Sequence, residues 1–356
     1  MAEPHLEIDL ERCNGFGNCV VAAPDIFAID PDTNQVRALA ASFPEDRLAA
    51  VEEAVEDCPV QAIRIGDDVS ITQESAARDV TLSTGEHIRY YEAGSADAAT
   101  TVVLLHGSGP GATGWSNFSG NIDAIADAGF RVLAPDMPGW GESDPVATRE
   151  MDHDRSLLGF LDALHIERAA LIGNSMGAHT AVRFATLHAE RVSHLVTMGA
   201  SLGRGEVKSI FGAGDGPTEG LKVLVSAYKD PSPENMRALV EIMTFDKERF
   251  ATPELTQARS AAAQARPEHL VNYVAGLPDG APIPIRVDRS KIPGITAPTL
   301  LIHGKDDRVL HFETSLWLLA NIANSRLVLL NRCGHWAMIE HADEFNRLVV
   351  DFLRNN

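Results

Sequence analysis

The stretch RAALIGNSMGAHTAVRFA, residues 168–185, decides the fold. Its first part, 169–173, is a run of small and branched apolar residues that reads as a buried strand, and its last part reads as a helix. Between them stands Gly173-Asn174-Ser175-Met176-Gly177, the G-x-S-x-G pattern of a sharp strand-to-helix turn. Such a turn presents the serine hydroxyl at the top of a sheet, and it is so tight that small residues must flank the serine. A serine at its ordinary pKa is a weak nucleophile, so chemistry at Ser175 requires a base, and the base requires an orienting acid.

Outward from this turn, the runs at 101–105, 131–135, 194–198, 299–303 and 327–330 repeat the apolar strand pattern and alternate with helical stretches, as a mostly parallel sheet requires. Acid and base follow such a serine in the chain order Ser, Asp, His. Strand 299–303 leads into Lys305-Asp306-Asp307-Arg308-Val309, and strand 327–330 leads into Arg332-Cys333-Gly334-His335. Both loops leave the same edge of the sheet, where ligands bind in parallel sheets. Of the 13 histidines, most, such as His153 and His188, read as solvated surface residues, whereas His335 stands apart by position. A tetrahedral intermediate also needs hydrogen-bond donors: the backbone N–H of Met176, after the serine, and one from the loop His106-Gly107-Ser108-Gly109-Pro110-Gly111, assigned to Ser108. Between about 203 and 290 the strand pattern gives way to helices, with Ser232-Pro233 and Thr252-Pro253 each reading as an N-cap followed by proline at the first helical position. This is an inserted helical cap.

At 356 residues the chain has room for two or three domains. Its net charge of -20 repels phosphate backbones and anionic lipid, so neither nucleic acid nor a membrane surface is an expected partner. No apolar run approaches the 20 or so residues of a spanning helix, and MAEPHLEIDL has neither the basic start nor the apolar core of a secretory signal. A cytoplasmic location is expected, and with it cysteines that serve as metal ligands or buried thiols. Residues 1–68 hold 15 Asp and Glu against 4 Lys and Arg, a net of -11, and three of the four cysteines, Cys13, Cys19 and Cys58; Cys333 is the fourth. The pattern there is a small α+β unit: strand 5–10, cysteine loop, helix 18–23, strand around Val36, helix 45–57 and strand 62–65. The expected division is a domain over 1–68, a linker over 69–79 and a second domain over 80–356, with a homo-oligomer as the assembled form.

HGSGPGATGWSNF, APDMPGWGESD, GNSMG, GKDDRV and CGHWAMIEHADEFNRLVVDFL together closely resemble the meta-cleavage product hydrolases, α/β-hydrolases that break a carbon–carbon bond in aromatic-ring degradation. The resemblance covers about residues 80 to 356, cap included. It implies an α/β-hydrolase fold with a helical cap, and a 2-hydroxy-6-oxo-dienoate as substrate, formed when an extradiol dioxygenase opens a catechol ring. By that resemblance Ser175, Asp307 and His335 are the triad, Asp307 being preferred over Asp306 because its 28-residue distance to His335 matches the family's spacing. It further implies that Asn117 and Asn174 contact the dienoate end, that Trp336 walls that pocket, and that Arg259 grips the substrate carboxylate. Arg259 is the sole charge between Glu254 and Arg266. The hydrolase needs no metal. A carboxylesterase of the same fold is the alternative; dehalogenase or epoxide hydrolase activity would demand Asp at position 175.

Cys13-Asn14-Gly15-Phe16-Gly17-Asn18-Cys19, with 38 residues between Cys19 and the Cys58-Pro59 pair, resembles a bacterial ferredoxin run in which Phe16 replaces the middle cysteine. The resemblance covers residues 5 to 66 and implies a ferredoxin-like domain whose Cys13, Cys19 and Cys58 hold an iron-sulfur cluster. Three thiolates fit 3Fe-4S; a 4Fe-4S cluster would leave one iron without a protein ligand. It resembles the small ferredoxins that pass electrons to monooxygenases or dioxygenases, so a reductase or oxygenase is the implied redox partner. Three buried structural cysteines, or a zinc site lacking one ligand, are the other readings. An electron-transfer protein with the hydrolase half as a scaffold is opposed by the complete Ser, Asp, His set.

Overall fold

The computed structural model describes residues 5–10, 12–39, 43–66, 71–200, 218–276 and 287–356. The chain forms two units, Met1–Ile71 and Thr72–Asn356.

In the second unit the strands are β5 (Ala77–Thr81), β6 (His87–Ala93), β7 (Thr101–Leu105), β8 (Arg131–Pro135), β9 (Ala169–Asn174), β10 (Val192–Met198), β11 (Thr299–Gly304) and β12 (Ser325–Leu330). They form one eight-stranded sheet in the order β12-β11-β10-β9-β7-β8-β6-β5. Pairings from β12 to β8 are parallel, while β6 runs antiparallel to both β8 and β5. Every residue of β7, β9 and β11 is buried, as expected where helices cover both faces of a parallel sheet, and this is why these strands read as unbroken apolar runs. The helices outside the inserted segment include α4 (Gly114–Asp127), α5 (His153–Ala163), α6 (Met176–Leu187), α12 (Glu313–Asn321), α13 (Ala337–Glu340) and α14 (Ala342–Asn355).

The edge hairpin escaped the sequence reading because β5, ARDVT, is short and largely polar. Residues 73–79, expected in a linker, instead form α3 (Gln73–Ala76) and the start of β5. A reciprocal capping box between Thr72 and Ser75 starts the helix, and Asp79 on β5 accepts hydrogen bonds from Arg89 and His87 on β6, both at 2.8 Å. These bonds tie the segment into the sheet.

Between β10 and β11 lie α7 (Glu219–Lys229), α8 (Pro233–Met243), α9 (Lys247–Phe250), α10 (Pro253–Ala265) and α11 (Pro267–Gly276). Residues 203–217 and 277–286 of the expected cap fall outside the described residues. Thr252 caps α10 through a hydrogen bond from Leu255 N–H at 3.2 Å. Ser232 stands at the N-cap of α8 without a side-chain cap bond, since its hydroxyl turns to Asp230 at 3.2 Å. Among the described residues no helix is long and apolar enough to cross a membrane.

The first unit contains β1 (His5–Ile8), α1 (Asn18–Ala22), β2 (Phe27–Ile29), β3 (Val36–Ala38), α2 (Leu48–Glu56) and β4 (Ile63–Gly66). β1 pairs antiparallel with β4, and β2 with β3. β2 was not visible as a strand in the sequence, having only three residues. Phe27, Phe43, Val51 and Ile63 centre a small buried cluster that also takes in Cys13 and Cys19.

Candidate active site

Ser175 follows β9, Asp307 follows β11, His335 follows β12, and the His106–Gly111 loop follows β7. All four therefore sit at the carboxyl edge of the parallel strands, where such sheets bind ligands. Ser175 holds φ 52° and ψ -112°, a left-handed φ that is uncommon for a non-glycine residue and typical of a strained turn. A Cβ on Gly173 would come within 2.3 Å of the Gly177 carbonyl oxygen, and one on Gly177 within 2.0 Å of that of Leu105. The turn and its packing on β7 exclude any side chain at either position.

His335 and Asp307 meet: Nδ1 lies 2.7 Å from Asp307 Oδ2, and both residues are buried. Neighbouring Asp306 makes no side-chain bond to His335 among the described residues; its backbone N–H donates to Cys333 O at 2.9 Å, and its Oδ2 is buried without a partner. Asp307 Oδ1 accepts the N–H groups of Val309 at 2.7 Å and Leu310 at 2.9 Å. Burial alone would raise the Asp307 carboxyl pKa, but the adjoining His335 and His303 outweigh it and hold the group well below the ordinary carboxylate range. The ring of His335 fits against Gly199, where a Cβ would stand 2.7 Å from Cε1. Its backbone N–H donates to Met243 O on α8 at 2.7 Å. Glu340 braces the same loop, accepting Gly334 N–H at 2.6 Å and Phe245 N–H at 2.7 Å.

His335 Nε2 is buried and has no hydrogen-bond partner. It belongs to the wall of a cavity shared with Ser175, Ser108, Met176, Arg259 and Trp336. Atom-free space there amounts to about 840 Å³, a figure that includes open solvent. Met176 opens α6, so its N–H has no acceptor within the helix. The Ser108 loop is held from the inserted helices, since Tyr228 on α7 donates to Ser108 O at 2.6 Å while accepting from Trp140 Nε1 at 2.8 Å. The arrangement offers a hydroxyl, a base with a free nitrogen and N–H groups for an oxyanion, the parts that acyl transfer requires.

Asn117 and Asn174 also line the cavity. Asn174 Nδ2 donates to His335 O at 3.1 Å, leaving Oδ1 buried and unpaired. Asn117 Nδ2 donates to Thr113 O at 3.2 Å. Arg259, on α10, is buried with its guanidinium carbon 4.3 Å from the Trp336 ring centre, and its Nε has no partner. Burial pulls its pKa down to about 10, and no carboxylate pairs with it among the described residues. Sequence reasoning missed His179, Tyr273 and the apolar wall of Leu221, Leu224 and Met243. His179 was legible in principle, because it stands four residues after Ser175 on one helix face; burial pushes its imidazole down to about 4.

His153, expected on the surface, is buried, with Nε2 3.1 Å from Pro138 O and its ring edge-on to Trp140 at 5.7 Å. The start of α5 packs beneath the turn that bears Trp140. His106 is likewise buried, its Nε2 accepting Met137 N–H at 2.8 Å. Burial pushes both imidazoles down to about 4, against about 6.5 in the unfolded chain. The unfolded state therefore binds their protons first, and each costs the fold about 2–3 kcal/mol as pH falls from 7 to 4.5. Asp136 acts in the opposite sense: burial raises it to about 7, so its protonation over the same interval returns about 3 kcal/mol. His179, whose imidazole burial also pushes down to about 4, adds a cost of the same size, so the three histidines win and thermal unfolding should show a net loss of about 4 kcal/mol at pH 4.5. His153→Gln should make the slope shallower; an unaltered slope would remove His153 from the account.

In the first unit Cys13, Cys19 and Cys58 line one cavity together with Gly15, Phe16 and Gly17. Burial raises the Cys19 thiol pKa, and Cys13 and Cys58 act on it in the same direction, which marks the three as neighbours. Backbone N–H groups of Val36 and Ala62 point at the sulfurs of Cys13 and Cys58, at 3.3 and 3.2 Å. Among the described residues no group of three or more His, Cys, Asp or Glu closes around a single metal ion. Three thiols spread over one cavity, with N–H groups on two of them, suit a cluster in which each sulfur takes its own iron. Cys333 is buried elsewhere, in the second unit, with its thiol pKa pushed up by burial.

A family model described as the alpha/beta hydrolase fold matches residues 100–342, and one described as a 4Fe-4S single cluster domain matches residues 6–65. The chain is 44% identical over 290 residues to a 2-hydroxy-6-oxononadienedioate/2-hydroxy-6-oxononatrienedioate hydrolase of Cupriavidus pinatubonensis, covering 80% of this chain and 98% of that protein. A protein of the same description from Paraburkholderia xenovorans is 42% identical, covering 80% and 97%. Among solved structures, the meta-cleavage product hydrolase CumD of Pseudomonas fluorescens IP01, a mutant complexed with acetates, superposes with a TM-score of 0.67 at 33% identity, covering 78% of this chain and 97% of that one. With a nucleophile turn, a buried Asp–His pair and a capped cavity on this sheet, the chain belongs to the meta-cleavage product hydrolases, serine hydrolases of the α/β-hydrolase fold that act on carbon–carbon bonds.

Proposed function

We propose that this chain hydrolyses the carbon–carbon bond next to the ketone of a 2-hydroxy-6-oxo-2,4-dienoate, a ring-fission product of aromatic degradation, and that its first unit carries an iron-sulfur cluster for electron transfer. The observation that carries the hydrolytic reading is Arg259, a buried guanidinium with an unpaired Nε in the same cavity as Ser175 and the free Nε2 of His335. A buried cation without an anion is costly, and a substrate carboxylate supplies the missing partner through charge-assisted hydrogen bonds. The two relatives' names, which specify 2-hydroxy-6-oxo dioates, support the same class.

Arg259 grips the carboxylate and, with Asn117, Asn174 and Trp336, lays the dienol across the cavity with the 6-oxo carbon at Ser175. Tautomerisation to the keto form places a carbonyl where it can accept the electrons of the breaking bond. His335 Nε2 takes the Ser175 proton as Oγ adds to C6, and the N–H groups of Ser108 and Met176 receive the oxyanion. Collapse breaks the carbon–carbon bond, with His335 returning the proton to the departing carbon. Water, activated by the same base, then releases the carboxylic acid; 2-hydroxypenta-2,4-dienoate is the other product.

Incubation with a panel of yellow ring-fission products, followed by loss of colour, tests this reading; no decay with any member would defeat it. Arg259→Gln is expected to lower kcat/KM on a dienoate by about a hundredfold to a thousandfold, as for loss of one member of a buried charge pair. A simple aryl ester, lacking the carboxylate, should lose no more than about threefold. Equal losses on both would remove Arg259 from the binding site.

Cys13, Cys19 and Cys58 would hold the cluster, which when bound accepts and passes single electrons. Support comes from their shared cavity and the N–H groups aimed at two of the sulfurs. Phe16, where a fourth ligand would stand, lies at the rim of that cavity and is 63% exposed. A three-iron cluster matches three thiolates.

A further inference from the structure

We propose that His303 is a positioning residue of the hydrolytic centre, a second imidazole that shares Asp307 Oδ2 with His335 and thereby sets both the aim of that carboxylate and the basicity of His335. The proposal rests on the reading of Asp307 and His335 as acid and base. His303 lies near the end of β11 and is 1% exposed. Its Nε2 is 3.1 Å from Asp307 Oδ2 and 2.9 Å from Leu310 O. A carboxylate and a carbonyl can only accept, so Nε2 carries the hydrogen and donates to both. Nδ1 is 2.8 Å from the hydroxyl of Ser315 on α12, a residue with no exposed surface. The Ser315 hydroxyl can donate to that nitrogen, which leaves His303 neutral in the Nε2–H tautomer.

Asp307 is thus gripped by four donors, two backbone N–H groups on Oδ1 and two imidazoles on Oδ2. Both oxygens are occupied, so the carboxylate is held against rotation and Oδ2 stays aimed at His335. The sharing also has an electrostatic consequence. An oxygen that accepts two hydrogen bonds gives each less of its charge, so His303 weakens the hold of Asp307 on the proton of an imidazolium at His335. Without His303 that hold strengthens, His335 stays protonated to higher pH, and less base is present near neutrality.

Other titratable groups surround the pair. Asp306 and Arg308 flank Asp307 on its own loop, and Arg308 is engaged with Glu241 O at 2.5 Å. Glu340 of α13 and Cys333 lie on the His335 side. His311 and Glu313, 3.2 Å apart, lie before and at the start of α12. None of them is altered by a substitution at 303, so a shift in that variant belongs to His303.

The test compares wild type, His303→Leu and His303→Gln on a simple aryl ester, recording kcat/KM against pH, with nitrogen-15 NMR of ring-labelled histidine in the wild type. His303→Leu should move the acid limb upward by about half to one pH unit, the order of one hydrogen bond to a charged group. His303→Gln keeps a donor and should return the limb to its native place. A residue that only fills space would alter rate or stability and leave the limb unmoved. An unshifted limb in His303→Leu, or a protonated Nδ1 on His303 in the wild type, overturns the proposal. The wild-type spectrum decides the matter even if the leucine variant does not fold. Should Ser175→Ala remain active on the same ester, it is the underlying acid–base reading that has failed.

Discussion

Ser175→Ala is expected to lower turnover of a dienoate by about 10⁴- to 10⁶-fold while leaving the circular dichroism spectrum unchanged. As proposed nucleophile, base and acid, Ser175, His335 and Asp307 would act as one unit, so His335→Ala should cost about as much and the double variant little more. The fold should survive because alanine meets the same backbone demand as serine at φ 52° and adds no atom to the tight turn between Gly173 and Gly177. The residual rate would come from binding and from the N–H groups of Ser108 and Met176, which the substitution leaves in place. Near-native rates in either single variant, measured across the panel of ring-fission products, would mean that the nucleophile or the base has been misassigned.

The second large effect concerns the first unit. Its buried cluster is small, with Cys13 and Cys19 part of it and Phe27 and Phe43 its largest members. A unit of this size, Met1–Ile71, is marginal on apolar burial alone, so the binding energy of the proposed cluster would become folding energy. Cys58→Ser, or removal of iron by a chelator, should abolish protection from hydrogen exchange across residues 5–66 while hydrolysis stays within about twofold of wild type, since the triad needs no electrons. Reconstituted with iron and sulfide and then oxidised, the wild type should be paramagnetic, as three ferric ions leave an odd electron. Phe16→Cys, which restores a C-x2-C-x2-C run, should permit a four-iron cluster that is silent when oxidised. Full iron and sulfide content without a paramagnetic signal in the wild type would overturn the three-iron assignment, and unchanged exchange after iron removal would show that the cluster does not hold the unit together.

Local chemistry was the legible part of this chain. The turn at 173–177 announces itself because its two glycines answer a steric demand inside five residues, and the strands around it read clearly because burial on both faces makes them uninterrupted apolar runs. The inserted helices were legible through Ser232-Pro233 and Thr252-Pro253, which begin α8 and α10. β5 and β6 were not, because one is short and polar and both owe their place to pairing. Residues 73–79 read as linker for the same reason, since the bonds between Asp79, His87 and Arg89 exist only when the strands lie side by side.

Within the site, sequence alone determined which loops could share the carboxyl edge of the sheet, because strand type and chain order constrain where each loop emerges. The tertiary structure decided which groups meet there. Asp306 and Asp307 are the same residue type, and it is the bonds of Asp307 to Val309 N–H, Leu310 N–H and His335 that set it apart. His153 and His303 carry no local mark of burial; the first is enclosed by the turn bearing Trp140, and the second by Asp307, Leu310 and Ser315. Arg259 has the composition of a solvated helix residue, and its burial over Trp336 follows from the packing of α10 near the edge of the sheet. Periodicity and turn chemistry are short-range, so they are written in neighbouring residues. Hydrogen bonding and desolvation depend on what lies within a few ångströms in space, and that is set by the completed fold.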